Sequence, residues 1–256
     1  MTRLRATAYA KLNLALHVRR RRDDGYHELE TVFAFCDDGD TVSAEVADAT
    51  TLTIDGPFAE GLSTTDNLVL AAAQAAGFVA ALHLTKNLPV ASGIGGGSAD
   101  AAATLRLAGR PDLALARRLG ADVPACVASV TARAEGVGDV FSPVTSVAGM
   151  PVLLANPRIA LSTGSVFAAW DGVDRGPLGD WSNGRNDLEA PASMLVPAIA
   201  GLIAWLAARP GATFARMSGS GATCFALFVD TASRDDAVAA AVRDLPEYWT
   251  LASRLR

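Results

Sequence analysis

The stretch Pro89-Val-Ala-Ser-Gly-Ile-Gly-Gly-Gly-Ser98-Ala-Asp-Ala-Ala102 places four glycines within five residues and then runs straight into an alanine-rich segment. Glycines lower the steric barrier to close backbone approach. A helix that starts directly after them offers unpaired N–H groups and the positive end of its dipole. Together these features make a cradle for phosphate, with a purely structural glycine turn as the alternative. Two better-known phosphate loops fail on residue identity. A Walker A loop requires Gly-Lys followed by Ser or Thr, and the dinucleotide fingerprint requires Gly or Ala where Ser98 stands. The helix after Ser98 is stopped by Gly109 and Pro111.

Upstream of the loop, Ala81 to Thr85 reads as a short strand, and Asp66 caps a helix through Ala76 that ends at Gly77. Leu29 to Phe35 and Thr41 to Val46 read as two strands separated by the turn Asp37-Asp38-Gly39-Asp40, and Arg19 to Gly25 as an exposed turn. Ala8 to Val18 alternates, with Tyr9, Lys11, Asn13, Ala15 and His17 on one face and Ala10, Leu12, Leu14, Leu16 and Val18 on the other. Lys11 and Lys86 are the only two lysines among 22 basic residues. A lysine inside an apolar strand needs an anion or a ligand to offset desolvation, so Lys11 reads as a site residue rather than a snorkelling edge residue. Lys86 reads as an ordinary surface charge.

Downstream, a helix from Asp112 to Leu119 stops at Gly120, and Asp122 follows in Leu119-Gly-Ala-Asp-Val-Pro124. Taken alone, an acid there caps the next turn. Strand-like sequence spans Val127 to Ala134, is interrupted at Gly136 and Gly138, and gives way at Pro143 to Pro151 to a new unit, with a boundary near Gly149. The second half offers strands at Val152 to Ala155, Phe214 to Met217 and Thr223 to Val229, and helices at Pro197 to Ala208 and Ser233 to Leu245. Met217 to Thr223 is a glycine-rich hairpin connection whose small residues permit close approach to a phosphate loop or a substrate. Both halves are α+β rather than alternating βαβ.

Composition bounds the function. Half of the 256 residues are hydrophobic and 19% are charged, which excludes a disordered chain. With 27 acidic residues against 22 basic ones, the net charge of −5 has the wrong sign for a general nucleic-acid binder. Cys36, Cys126 and Cys224 lack any disulfide or zinc spacing, and no signal peptide precedes Lys11, so a reducing, cytoplasmic setting is expected. Ala190 to Ala208 carries no charge but contains Pro191, Pro197 and Gly201, which favours a buried helix over a membrane span.

Three segments taken together are specific. Ala10-Lys-Leu-Asn-Leu14, the Pro89 to Ala102 stretch and Ser218-Gly-Ser-Gly-Ala-Thr223 resemble, in order, the three signature motifs of the GHMP small-molecule kinases. Asp24-Gly-Tyr-His-Glu28, Gly120-Ala-Asp-Val-Pro124, Glu135-Gly-Val-Gly-Asp139 and Asn186-Asp-Leu188 resemble the branch whose acceptor is a cytidine-diphosphate sugar alcohol. The resemblance implies a two-domain α+β fold. Residues 1–149 would form a domain like ribosomal protein S5 domain 2, and residues 150–256 a ferredoxin-like domain, with the active site between them.

It also implies ATP as co-substrate with Mg2+, small-molecule substrates, no nucleic acid, no membrane, and a monomer or homodimer. Lys11 and Asp122 correspond to the catalytic pair, Asp122 taking the proton of a 2-hydroxyl while Lys11 holds that oxygen. Pro89, Val90, Ala91, Ser92, Gly93, Ile94, Gly95, Gly96, Gly97, Ser98 and Ala99 correspond to the ATP loop. Tyr26, His27 and Phe167 correspond to the cytosine site, and Asn13 to a further substrate contact. No carboxylate cluster marks a magnesium site, so the metal is expected to arrive held by ATP and water, with Ser98 as candidate protein ligand. The run Arg19 to Arg22 reads as a solvated hairpin tip rather than a diphosphate clamp. The competing functions are a GHMP kinase for another alcohol, of mevalonate or homoserine type, and a non-catalytic nucleotide-binding protein of the same fold.

Overall fold

The computed structural model describes residues 3–136, 140–144 and 147–256. Val137, Gly138 and Asp139, the end of the Glu135 to Asp139 segment, lie outside the described residues, as do two positions of the Pro143 to Pro151 stretch. The chain folds as two compact units assembled from interleaved segments. One comprises Met1–Lys11, Asp38–Val90 and Gly95–Val130, the other Leu12–Asp37, Ala91–Ile94 and Thr131–Arg256. Strands β1 (Leu4–Arg21) and β2 (His27–Glu45) pair with each other, and each runs from one unit into the other.

In the first unit, the end of β2 pairs antiparallel with β4 (Ala81–Thr85), which pairs parallel with β3 (Thr51–Asp55). Helices α1 (Leu68–Ala76), α2 (Gly96–Leu107), α3 (Leu113–Leu119) and α4 (Val123–Ala128) complete it. The alanines of α2 give it almost no bulk, so it is buried on nearly every side from Ala99 to Leu105. The cap of α1 is Asn67, whose side chain accepts from the Val69 N–H, one residue after the expected Asp66. Gly77 closes that helix in the left-handed region at φ 64°.

Two expectations are corrected. Asp37 to Asp40 is no turn: β2 is continuous through it. Acidic residues and a glycine resemble a turn locally, but Asp40 is fully buried and its carboxylate accepts the backbone N–H groups of Asn87 and Leu88 at 2.6 and 2.8 Å. Gly39 is required by packing, since a Cβ there would stand 1.9 Å from the Ala8 carbonyl oxygen. The strand expected from Val127 begins only at Ala132, because α4 occupies the chain through Ala128.

In the second unit, the start of β2 pairs with β5 (Ala132–Gly136), which pairs with β6 (Val140–Pro143). A separate antiparallel sheet has the order β10-β7-β9-β8, from β7 (Pro151–Asn156), β8 (Ala212–Met217), β9 (Cys224–Phe228) and β10 (Trp249–Arg254). Its core joins Leu153, Ala155 and Phe228 to Ile199, Leu202 and Leu206 of α7 (Ala198–Ala207) and Ala237 of α8 (Thr231–Asp244). Each such buried leucine contributes about 1.5–3 kcal/mol relative to exposure. Helices α5 (Thr163–Ala168) and α6 (Glu189–Leu195) complete the unit. The uncharged Ala190 to Ala208 stretch is thus divided between α6 and α7 around Pro197, and among the described residues no helix is long and apolar enough to cross a membrane.

Candidate active site

In the first unit, Lys11 and Asp122 meet. The Lys11 side chain is 5% exposed, and its Nζ lies 3.1 Å from Oδ2 of Asp122, whose side chain is 43% exposed. Asp122 occupies the N-cap position of α4 yet makes no side-chain cap bond there. Its carboxylate faces the lysine instead of the helix end. Arg106 of α2 fixes the elements that carry the pair, donating to the carbonyls of Thr7 in β1 and Cys126 in α4 at 2.6 and 2.8 Å. Burial, then the Asp122 carboxylate, pushes the Cys126 thiol up to about 12. All three cysteines are buried and none is in a disulfide.

The glycine-rich loop ends against the same lysine. Gly95 has φ +65°, and a Cβ there would stand 3.1 Å from Lys11 Cε. Gly96 then begins α2, whose first N–H groups have no carbonyl within the helix to bond. Pro89, Ser92, Ile94 and Ala99 are buried, while Val90 is half exposed and Ala91, Gly97 and Ser98 are at least partly accessible.

In the second unit, Ala91–Ile94 packs on the connection from Ser218 to Thr223. The Ser218 hydroxyl donates to the Gly93 carbonyl at 2.9 Å, and the Thr223 N–H donates to that of Ser92 at 3.2 Å. A Cβ on Gly93 would lie 2.4 Å from the Ser218 carbonyl oxygen, so only glycine permits this approach. The close approach expected of this hairpin is therefore made to the loop. Asn186 steadies it by donating to the carbonyls of Met217 and Gly219 at 2.9 and 2.8 Å. Asp187 accepts from the Val18 N–H at 2.8 Å, which gives the Asn186-Asp-Leu188 segment a positioning job at β1. Asn13 is buried, donates to Thr31 Oγ1 at 2.8 Å, and its N–H donates to Ser218 Oγ at 3.2 Å.

The aromatic residues are partly gathered. His27 and Phe167 stack at 4.5 Å between ring centroids and 28° between planes, and Trp170 meets His27 edge-on at 5.7 Å. Burial, then the charge of Arg21, lowers the His27 pKa below its ordinary value. Tyr26 stands 64% exposed at the hairpin tip. At that tip Arg19 pairs with Glu30 and Asp174, Arg20 with Glu28, and Arg22 with Asp24. Trp170 had no signal in the sequence.

Lys86 is corrected outright. It is 3% exposed, and its ammonium lies 2.5 Å from Asp40 Oδ2 and 2.8 Å from Asp100 Oδ2. Burial lifts Asp100 to about 7, against the pull of Lys86 and with the push of Asp40. Burial works against the lysine as well, yet the carboxylates of Asp100 and Asp40 hold it above its ordinary value. The desolvation argument that singled out Lys11 applied equally to a second lysine in a chain so poor in them. Asp100, a lone acid among alanines, was a further signal.

Among the described residues no group of three His, Cys, Asp or Glu side chains is placed to hold a metal ion.

With this geometry in place, two family descriptions match: "GHMP kinases N terminal domain" over residues 67–144 and "GHMP kinases C terminal" over residues 174–250. The position of Gly149 falls in the interval between them. The fold is that of the GHMP kinases, which use ATP as phosphate donor. A 4-diphosphocytidyl-2-C-methyl-D-erythritol kinase of Rhizorhabdus wittichii is 54% identical, over 97% of this chain and 94% of its own length. A crystal structure of a 4-(cytidine 5'-diphospho)-2C-methyl-D-erythritol kinase matches with TM-score 0.83 at 33% identity, over 98% of this chain and 99% of that one. A homoserine kinase from Cytophaga hutchinsonii, at 16% identity and TM-score 0.68 over 99% and 95% of the two chains, shares the fold. The chain belongs to the 4-diphosphocytidyl-2-C-methyl-D-erythritol kinase family.

Proposed function

We propose that this protein transfers the γ-phosphoryl group of ATP to the 2-hydroxyl of 4-diphosphocytidyl-2-C-methyl-D-erythritol, giving the 2-phosphate and ADP, a step of the non-mevalonate route to isoprenoid precursors. The observation that carries this reading is the Lys11–Asp122 pair, a buried ammonium against an accessible carboxylate at 3.1 Å. A tertiary alcohol is a poor nucleophile until a base is positioned on its proton. Asp122 is that base, and Lys11 holds the hydroxyl oxygen and offsets the charge that develops on it. Phosphoryl transfer asks the protein mainly for alignment and charge stabilisation, and the backbone from Pro89 to Ala99 supplies both to the ATP phosphates.

Tyr26 and Phe167 stack on the cytosine, His27 hydrogen-bonds its edge, and Asn13 contacts the acceptor. Stacking of His27 on Phe167 supports a base-binding role for this cluster, and entrance of cytosine requires the two rings to part. The Ser98 hydroxyl would be the protein ligand to a magnesium ion brought in with ATP, the rest of whose shell would be phosphate and water oxygens, and the ion would offset the charge on the phosphates. The boundary between N- and C-terminal domains is placed near Gly149, the location is the cytoplasm, and the protein acts as a monomer or homodimer.

The test is ADP release by the purified protein with MgATP, with and without 4-diphosphocytidyl-2-C-methyl-D-erythritol, beside an Asp122→Asn control. Substrate-dependent ADP that the control abolishes is expected. Turnover on mevalonate or homoserine but not on the cytidyl compound would overturn the substrate.

A further inference from the structure

The glycine-rich loop has a sealed ion cluster at its base. Asp40 reaches from β2 and accepts the N–H groups of Asn87 and Leu88, the residues just before Pro89. Asp100 projects from α2, just past the far end of the loop. Lys86 bonds both carboxylates, at 2.5 and 2.8 Å, so one ammonium joins the chain that leads into the loop to the helix that leaves it. It also lies close under the loop's last turn: a Cβ on Gly96 would stand 2.9 Å from Lys86 Nζ.

This cluster is a poor device for stability alone. Its three residues are 0–4% exposed, and Asp100 Oδ1 is buried with no hydrogen-bond partner. A buried ion cluster with an unsatisfied oxygen is commonly no more stable than apolar residues of the same volume. Its geometry does something that apolar packing does not: it sets the separation of the two loop ends, because one ammonium is bonded at once to Asp40, which holds the residues before the loop, and to Asp100 of α2.

We propose that Lys86, held by Asp40 and Asp100, is the positioning residue of the nucleotide loop, setting the loop's shape for the ATP phosphates. This rests on reading Pro89 to Ala99 as that loop. The ligand class is a nucleoside triphosphate, and the residue acts through the backbone of Gly96 and its neighbours rather than on the acceptor.

MgATP is titrated calorimetrically into the wild-type protein without acceptor, then into Lys86→Met and Asp100→Asn, with circular dichroism confirming the fold of each. Folded Lys86→Met is expected to bind MgATP about tenfold or more weakly, while the KM of the cytidyl acceptor stays within about twofold. That split separates positioning of the nucleotide from general loosening. Equal weakening for both substrates, or unchanged ATP affinity, would overturn the proposal. Should Lys86→Met fail to fold, Asp100→Asn decides, since it keeps the Lys86–Asp40 pair and releases only the helix side. A loss of about threefold or more in ATP affinity supports the tie, and unchanged affinity refutes it. Wild-type protein that binds no MgATP would refute the nucleotide-loop reading and this proposal with it.

Discussion

The chain's two lysines make a natural comparison. Both are buried against carboxylates, yet Asp122 opposite Lys11 is 43% exposed, while Asp40 and Asp100 around Lys86 are sealed. An ammonium with an accessible partner leaves room for a reacting hydroxyl, so the pair is suited to chemistry. An ammonium whose partners are both buried, one of them bonded to backbone, has its geometry fixed and is suited to holding loops. The difference teaches that burial of a lysine marks constraint, and that the accessibility of its partner decides whether the pair can meet a substrate.

The sharpest way to break the comparison is Asp122→Asn, expected to lower kcat by about 10²–10⁴ while the ATP dissociation constant measured by calorimetry stays nearly unchanged. An active variant would remove Asp122 from the base role. Asp40→Asn is expected to show the reverse bias. Removing one partner of a buried ion cluster costs about 3–5 kcal/mol, seen as a lower urea midpoint, whereas Asp122→Asn shifts that midpoint by about 1 kcal/mol or less. Equal destabilisation by both would erase the distinction.

Next in size, Tyr26→Ala is expected to weaken the cytidyl substrate roughly tenfold, as loss of one base stack would, and ATP hardly at all. Equal loss for both would mean that the cytosine site lies elsewhere.

The smallest effect concerns pH. His17 accepts the Arg185 N–H at Nε2 and stands 3.1 Å from the Gly176 carbonyl through Nδ1, the pattern of a neutral ring, and burial is the first cause of its lowered pKa. The unfolded chain takes up a proton near 6.5, and the native chain does so only at lower pH. The stability contributed by the neutral ring is therefore complete above that value and is lost as pH falls. Melting temperature should drop between pH 7.5 and 5.5 with a slope of at most about 1.4 kcal/mol per pH unit from this group, and His17→Gln should flatten it.

Most of the fold was legible where local chemistry decides it. β4 begins and ends where the sequence places it, and the helices after Asp112 and the glycine loop follow their caps and stops. Reading failed where a distant partner reverses a local preference. Asp40 sits in a run of turn residues, but Asn87 and Leu88, 47 and 48 positions away, satisfy its carboxylate inside a strand. β10 carries polar residues along its length and is a strand because β7 offers it an unpaired edge. At the site, Lys11 announced itself through its apolar strand. Asp122 needed the company of Lys11, brought to it by folding, before it differed from any helix cap.

The burial of Lys11 and Lys86, each 3–4% exposed, also leaves the described surface without an exposed lysine amine. Acylating reagents should therefore reach the two lysine side chains only through transient opening. The rate at which mass spectrometry finds an acyl group at each position becomes a clock for the local dynamics around it, one hand for the Lys11–Asp122 pair and one for the base of the glycine-rich loop.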